Sequence, residues 1–200
     1  MPEPVTTIGI GAIAAYLGKD GLQKLLGPTA EYLGDGLKNF TQKRVDNVGK
    51  IFSNASAKLG GKIEENASIP PKLLKQVMDE GSFADDKVEI DYLGGVVASS
   101  RSDVERDNRG VRIAKKIDSL SNYQLRTHYL IYRSIADLFR WDGIIPDMSG
   151  RPKLKLFIPL NQYSISMDFS YKESTNLSQI LNHTLFGLHN DNLIEGHFQY

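Results

Sequence analysis

The spacing of apolar residues between Thr29 and Leu59 constrains the fold more than any other feature of the chain. The apolar positions recur at intervals of three, four or eight residues, as they do along one side of an α-helix. They are Leu33, Leu37, Phe40, Val48, Phe52, Ala55 and Leu59. A Gly-Pro pair precedes the pattern and a Gly-Gly pair follows it, which favours a helix start and a helix stop. We therefore expect one long amphipathic helix, whose apolar stripe is covered by the rest of the chain or by a second copy.

Shorter helical patterns follow, and polar turns separate them. They cover residues 71–78, 82–97, 109–117 and 121–140. Ser121 and Gln124 form a capping-box pattern at the start of the last one, in which side chains bond the free backbone groups of the first turn. Gly94 and Gly95 interrupt the second pattern, and we expect close packing against a neighbouring element there. These segments predict a core of packed helices.

The character of the sequence changes after Trp141, where turn signals become frequent. Residues 153–158 read as a strand, and the alternation of Tyr163 to Phe169 predicts a second strand. Residues 177–188 return to a helical pattern. A helix, then strands, then a helix is the order of a winged-helix domain.

Together these patterns predict a mainly α-helical fold. We expect a helical bundle with one long N-terminal amphipathic helix, and a small β element (α+β, winged-helix-like) in the C-terminal third. The predicted segments are a Gly-rich N-terminal segment at 1–27, the long amphipathic helix at 28–61, a helical core at 62–140 and a small α+β part at 141–200.

The composition is that of an ordinary globular protein, with 40% hydrophobic and 24% charged residues in a chain of 200. Lys plus Arg equals Asp plus Glu, 24 each, so the net charge gives no general attraction to nucleic acid or acidic lipid. The charge is nevertheless uneven. Residues 101–140 carry nine cations against five anions, a balance of +4, and residues 66–100 carry three against six, a balance of −3. Either a basic face lies beside an acidic one, or these are solvated helix faces.

The absence of cysteine excludes disulfides, cysteine zinc sites and a cysteine nucleophile. The start of the chain has no basic region of the kind that opens a signal peptide. The apolar run from Ile8 to Leu17 is far shorter than the roughly 20 residues that a membrane-spanning helix needs. We expect a cytoplasmic protein.

The polar run SSRSDVERDNRG, residues 99–110, is the strongest candidate for a functional site. Arginine side chains alternate there with carboxylates, and guanidinium groups bind carboxylates and phosphates in a bidentate manner. One interpretation is an internal salt-bridge network between two helices. The other is a binding surface for a protein, a nucleotide or a nucleic acid. The candidate interaction residues are Ser99, Ser100, Arg101, Arg106, Asp107, Arg109 and Arg112.

Two catalytic or cofactor patterns are incomplete. Residues 9–14 fit a dinucleotide-binding G-x-G-x-x-A pattern, but the second strand and the acidic residue that this motif requires are missing. His128 could join Asp107 and the serines at 99 and 100 in a Ser-His-Asp triad, yet no G-x-S-x-G turn is present. We expect no catalytic and no cofactor-binding residues.

The C-terminal histidines are the remaining candidates for a metal site. They are His183, His189 and His197, with Asp191 and Glu195 nearby. Their spacings of six and eight do not place two histidines on one helical face, as H-E-x-x-H does. We expect surface or packing histidines and no bound metal.

The run from Ile69 to Tyr132 resembles a known family. The resembling pieces are PPKLLKQVMDEGSFADD, YLGGVVASSRS, the RDNRG loop and LSNYQLRTHYLIY. They are similar to the Abi-alpha family, named for abortive infection alpha, a bacterial domain of unknown function. The segment from Leu25 to Phe52 looks like the long helix that precedes this core in the family. The resemblance implies a role in defence against phage, in which an infected cell stops growing or dies. No active site is assigned in the family, so it implies a context without a mechanism.

Three functional hypotheses follow. The first is a non-enzymatic phage-defence protein that acts by contact with a protein partner or by self-association. The second is a nucleic-acid-binding regulator with a winged-helix-like C-terminal half. The third is a membrane-active effector whose N-terminal segment inserts after activation. The sequence shows no small-molecule substrate.

Overall fold

The computed structural model describes residues 4–27, 42–104, 107–140 and 156–195. The chain divides into two compact units, Met1–Ser119 and Leu120–Tyr200. In the first unit the α-helices are α1 (Pro4–Leu26), α2 (Gln42–Leu59), α3 (Pro71–Asp79), α4 (Lys87–Ser99) and α5 (Arg109–Asp118). In the second they are α6 (Asn122–Phe139), α7 (Leu160–Ser166), α8 (Tyr171–Thr175) and α9 (Leu177–Asn190). Two 3₁₀ turns, Gly60–Glu64 and Gly81–Phe83, complete the first unit.

The core of the first unit is built around α2. Its side chains Val48, Ile51, Phe52 and Ala55 are fully buried, as the spacing of three and four along a helix would place them. Helices α1 and α4 pack against it, and so do both 3₁₀ turns. Helix α2 is therefore the central element of this unit.

Helix α1 is bent at Gly18. This residue has φ 73° and ψ 162°, a combination that is open almost only to glycine. After the bend, Leu22, Leu25 and Leu26 are buried. Ile13, before the bend, is fully buried as well, so both parts of α1 contribute to the core.

The second unit has a smaller core. Tyr163, Met167 and Leu181 form a buried cluster in it, and partly buried apolar side chains of α6, α9 and the residues around α7 pack against this cluster. Helix α9 packs on α6 closely enough that a Cβ atom at Gly187 would lie 2.1 Å from the side-chain nitrogen of Gln124. This close approach fixes α9 beside the N-terminal half of α6.

The prediction of a small β element and a winged-helix-like order was wrong. Residues 160–166 form helix α7 where a strand was expected, and no strand occurs in the described residues from 156 to 195. The alternating pattern led to the wrong prediction of a strand because Tyr163 and Met167 are four residues apart. Residues at this spacing share a face in a helix as well as in a strand. In the structure both are buried while Ile165 is 77% exposed. Of the other predicted strand, residues 153–155 lie outside the described residues and 156–158 have no regular structure.

The prediction of one long N-terminal helix over residues 28–61 was also wrong. The helix found in that range, α2, has 18 residues and ends at Leu59. Residues 28–41 lie outside the described residues. A Gly-Gly pair follows α2 as expected. A periodic spacing of apolar residues indicates which face a helix buries and does not by itself fix where the helix begins.

Candidate functional site

The predicted interaction residues that the structure describes have separate local roles. Ser99 and Ser100 end α4: the Ser99 hydroxyl donates to the carbonyl of Val96 at 3.2 Å, and the Ser100 backbone N–H donates to the same carbonyl at 3.0 Å. Ser100 also lies against Gly110, at the start of α5, where a Cβ atom would come within 2.0 Å of its hydroxyl. Both serines therefore have roles in ending a helix and in packing.

Arg101 points into a ring of backbone carbonyl groups. Its Nη1 donates to the carbonyl of Lys62 at 2.9 Å. Its Nη2 lies within hydrogen-bond distance of four more carbonyls, those of Lys24 (2.9 Å), Ile63 (3.2 Å), Glu65 (3.0 Å) and Ala67 (3.0 Å). One side chain thus connects the end of α1, the 3₁₀ turn after α2 and the loop that leads to α3.

This environment affects the electrostatics of the guanidinium. Burial lowers the pKa of Arg101 below its ordinary value, and the neighbouring Glu65 carboxylate opposes that change. The Nε atom is buried and has no hydrogen-bond partner among the described residues. The carbonyl oxygens therefore accept hydrogen bonds from Nη1 and Nη2 of Arg101, while its Nε has no partner among the described residues.

Asp107 and Arg109 form a local ion pair at the start of α5. The Arg109 Nε and Nη2 atoms donate to the two carboxylate oxygens of Asp107 at 2.9 and 2.6 Å. These bonds, together with the Arg109 backbone N–H, lower the pKa of Asp107 to about 2. The Arg109 side chain is 88% exposed, so we expect the pair to order the loop without adding much stability.

The other predicted residues are dispersed. Arg112 is exposed on α5, and Arg106 lies outside the described residues. His128 belongs to the second unit, whereas Asp107 and the two serines belong to the first. Among the described residues, no group of three His, Cys, Asp or Glu side chains could hold a metal ion. His197 is outside the described range.

Sequence reasoning did not find an acidic cluster beside α4. The half-buried Glu89 has its pKa raised to about 7, first by burial and then by the charges of Asp85, Asp86 and Asp118. Glu80, at the end of α3, lines the same small cavity as Glu89 and Asp118. The sequence shows several acidic residues at the start of α4. It does not show that Asp118, at the end of α5, lies close to Glu89.

A polar cavity in the second unit was also missed. Its volume is about 330 Å³, and its wall combines one aromatic ring, one buried aliphatic side chain and several polar groups. The lining residues come from α6 (Tyr123), α8 (Lys172 and Glu173) and the region where α9 begins (Asn176, Gln179, Ile180 and His183). Only the two capping-box patterns that border it could be seen in the sequence.

Large apolar side chains are exposed over much of the second unit. Phe157 is 87% exposed, Tyr171 is 84% exposed and Tyr132 is 65% exposed. Leu138, Leu160, Ile165 and Phe186 belong to the same group. Single exposed apolar residues are ordinary, and a set of seven in one unit is what a protein-contact surface would account for.

No known protein family matches the chain by its sequence model, and no curated protein and no solved structure matches it. The similarity to the Abi-alpha family therefore stays a prediction. Within the described residues, no helix combines the length and the apolar character that crossing a membrane requires.

Proposed function

We propose that the chain is a phage-defence protein of the abortive-infection type that acts by protein contact, including self-association, through its second unit. The observation that carries this proposal is the exposed apolar surface of that unit. The biological context comes from the predicted resemblance of residues 69–132 to the Abi-alpha family.

Helix α6 is the best-defined part of the proposed surface. Its buried residues are Gln124, Leu125 and Thr127, all in its first half. Its second half still carries Ile135 and Phe139 together with the exposed Tyr132 and Leu138. At 3.6 residues per turn these four positions fall within about 120° of the helix circumference, so they share one side of the helix. A second amphipathic helix is the natural partner for such a stripe.

Self-association can be tested on the purified protein. We expect the mass measured by light scattering to exceed that of one chain, 22.3 kDa, and to fall to it when Tyr132 and Leu138 are both replaced by Glu. Asn122→Glu is the control for an added glutamate, because it introduces one negative charge at an exposed polar position of the same helix. A wild-type protein that is monomeric over the whole concentration range, with no captured partner from cells, would contradict protein contact through this helix.

The biological role is tested by phage challenge of cells that carry the gene. We expect fewer plaques than in cells without it, and loss of protection in the Tyr132→Glu, Leu138→Glu double variant but not in Asn122→Glu. Equal plaque counts with and without the gene over a panel of phages would reject the defence role. A membrane-potential dye followed through one infection cycle shows whether the affected cells lose their membrane barrier.

The nucleic-acid alternative has less support than the sequence suggested, since its winged-helix order is not found. What remains is the exposed basic side of α5, with Arg112 and Lys115. Nucleic-acid binding of this kind weakens steeply with added salt. Absence of binding at low salt would therefore remove this alternative.

The membrane alternative meets a different difficulty. The α1 side chains Ile13, Leu22, Leu25 and Leu26 are buried in the first unit, so insertion into lipid would first require α1 to leave that core. Leakage of liposomes that survives deletion of residues 1–27 would exclude the N-terminal segment as the agent.

A further inference from the structure

The polar cavity of the second unit is an open depression with an apolar floor and polar groups at its edge. Its volume of about 330 Å³ lies at the lower end of the range for small-molecule pockets, which is roughly 300–1,000 Å³. Such pockets pair an apolar surface with a few placed polar groups. Here the Tyr123 ring and the buried Ile180 supply the apolar part.

The walls of the cavity are fixed by hydrogen bonds. The Tyr123 hydroxyl donates to Glu173 Oε1 at 2.7 Å, and the Ser170 backbone N–H and hydroxyl donate to Glu173 Oε2 at 2.8 and 2.6 Å. Ser121 Oγ lies 3.0 Å from His183 Nε2, which ties the side chain on α9 to the N-cap of α6. The aromatic ring and the imidazole are thus held in place before any ligand binds, which lowers the entropy cost of binding.

The Glu173 carboxylate is already satisfied. The side chain of Ser170, then Tyr123, then the Ser170 backbone lower the pKa of Glu173 to about 2, so it is an anion whose two oxygens are occupied by these donors. Lys172 and Gln179 line the same cavity and are exposed, and neither side chain forms an ion pair or a hydrogen bond within the described residues. The polar groups left for a ligand are therefore the Lys172 ammonium group, the Gln179 amide, the side-chain oxygen of Asn176 and the second ring nitrogen of His183.

We propose that this cavity binds a small ligand in which a flat ring carries an anionic group, and that a nucleoside monophosphate is a suitable probe. The ring would lie on Tyr123 and Ile180, since aromatic rings stack on flat apolar partners. The Gln179 amide matches a donor–acceptor edge of such a ring. Lys172 would bind the anionic group as a point charge, with His183 beside it. The site is independent of the proposed self-association.

The test is isothermal titration calorimetry of the full chain with adenosine monophosphate, adenosine and inorganic phosphate. We expect a dissociation constant of about 0.1–1 mM for the monophosphate, and binding at least about tenfold weaker for adenosine and for phosphate, because each lacks one half of the recognised group. A monophosphate that does not bind at all, or that binds no better than phosphate alone, would overturn the proposal.

Variants of the full chain locate the binding. Lys172→Met removes the charge and keeps an unbranched side chain at an exposed position, so the fold is retained; we expect binding to weaken at least about tenfold. Tyr123→Phe keeps the ring and should bind, whereas Tyr123→Leu should not. Lys115→Met, at an exposed lysine of the first unit, is the matched control. Equal affinities for wild type, Lys172→Met and Tyr123→Leu would place the ligand elsewhere and reject the site.

Discussion

The guanidinium of Arg101 donates to the backbone carbonyl of Lys24 at 2.9 Å, across 77 positions of the sequence. The same side chain reaches carbonyls of the turn and loop that follow α2. These segments have no regular structure in common, so a single side chain replaces the backbone pairing that a sheet or a helix would give them. Arg101 is thus a structural anchor at the centre of the loop that looked most like a binding surface.

Replacement of Arg101 should destabilise the first unit. Arg101→Ala leaves several carbonyls without a charged donor, and we expect a loss of about 2–4 kcal/mol in the free energy of unfolding. Arg101→Lys should recover only part of it, because one ammonium group cannot reach the carbonyls that a planar fork reaches. Urea unfolding measures both. Arg112→Ala, at an exposed arginine of α5, should change stability by less than about 0.5 kcal/mol; similar values for the two alanine variants would show that Arg101 is not an anchor.

Two adjacent glycines of α4 should respond to alanine with opposite signs. A Cβ atom at Gly94 would lie 2.3–2.8 Å from the side chain of Asn54 on α2, so Gly94→Ala should cost about 1–3 kcal/mol through overpacking. At Gly95 the nearest atoms are 3.9 Å away, at the end of the Lys58 side chain. Gly95→Ala should therefore stabilise the protein by up to about 1 kcal/mol, through helix propensity. The midpoint temperature of thermal unfolding, measured for both variants, tests this prediction. Equal shifts of the midpoint would refute the close packing of α2 on α4.

The stability of the first unit should depend on the protonation of Glu89. Its pKa is about 7 in the folded chain and 4.5 for an unperturbed glutamate, so the folded state holds a proton that the unfolded state releases between these values. Stability then falls as the pH rises from about 4.5 to 7, and the penalty is fully present above pH 7. Because Glu89 is only half-buried, we expect solvent screening to reduce the penalty to roughly 1 kcal/mol.

Glu89→Gln removes this titration. We expect it to stabilise the protein at pH 8 and to leave stability unchanged at pH 4, as measured by urea unfolding at both values. Asp20→Asn, at an exposed carboxylate of α1, controls for the general effect of removing a negative charge. A stabilisation of the same size at pH 4 and pH 8 would mean that the carboxyl group does not titrate in this range.

The buried hydroxyl of Tyr163 should matter for the second unit. It lies 2.7 Å from the hydroxyl of Thr127, and both side chains are buried. Tyr163→Phe deletes one partner and leaves the other buried, so we expect a loss of about 1–2 kcal/mol. Tyr171→Phe removes a hydroxyl from an 84% exposed ring and should have no measurable effect. If the two variants unfold at the same urea concentration, the Thr127–Tyr163 bond does not stabilise the unit.

The local rules of helix formation accounted for much of the fold. The capping box of Ser121 and Gln124 is present at the start of α6, and the predicted helix at residues 177–188 is confirmed as α9. The predicted close packing at the α4 glycines is confirmed at Gly94. These features depend on residues within one or two turns of each other, which a sequence pattern records directly.

Features that depend on distant partners were not predictable in the same way. In the sequence, Arg101 has the surroundings of a surface cation. In the folded chain, carbonyl groups from residues 24 and 62–67 surround its guanidinium. The buried Ser82 accepts a hydrogen bond from Arg44 on α2 at 2.9 Å, a contact between residues 38 positions apart that no local pattern records. The strand prediction failed at Tyr163 and Met167, where seven residues are too few to separate a period of two from a period of 3.6.

The central position of α2 has a consequence for how the chain is made. The buried side chains of α2 are covered on both sides only after α4 has been synthesised. Helix α4 ends at Ser99. Domains generally fold as units during synthesis, with the N-terminal one first. The first unit can therefore assemble on the ribosome once residue 119 has emerged, while the second unit is still being translated. A stall late in translation would release a chain whose first unit is already folded and whose apolar second unit is incomplete.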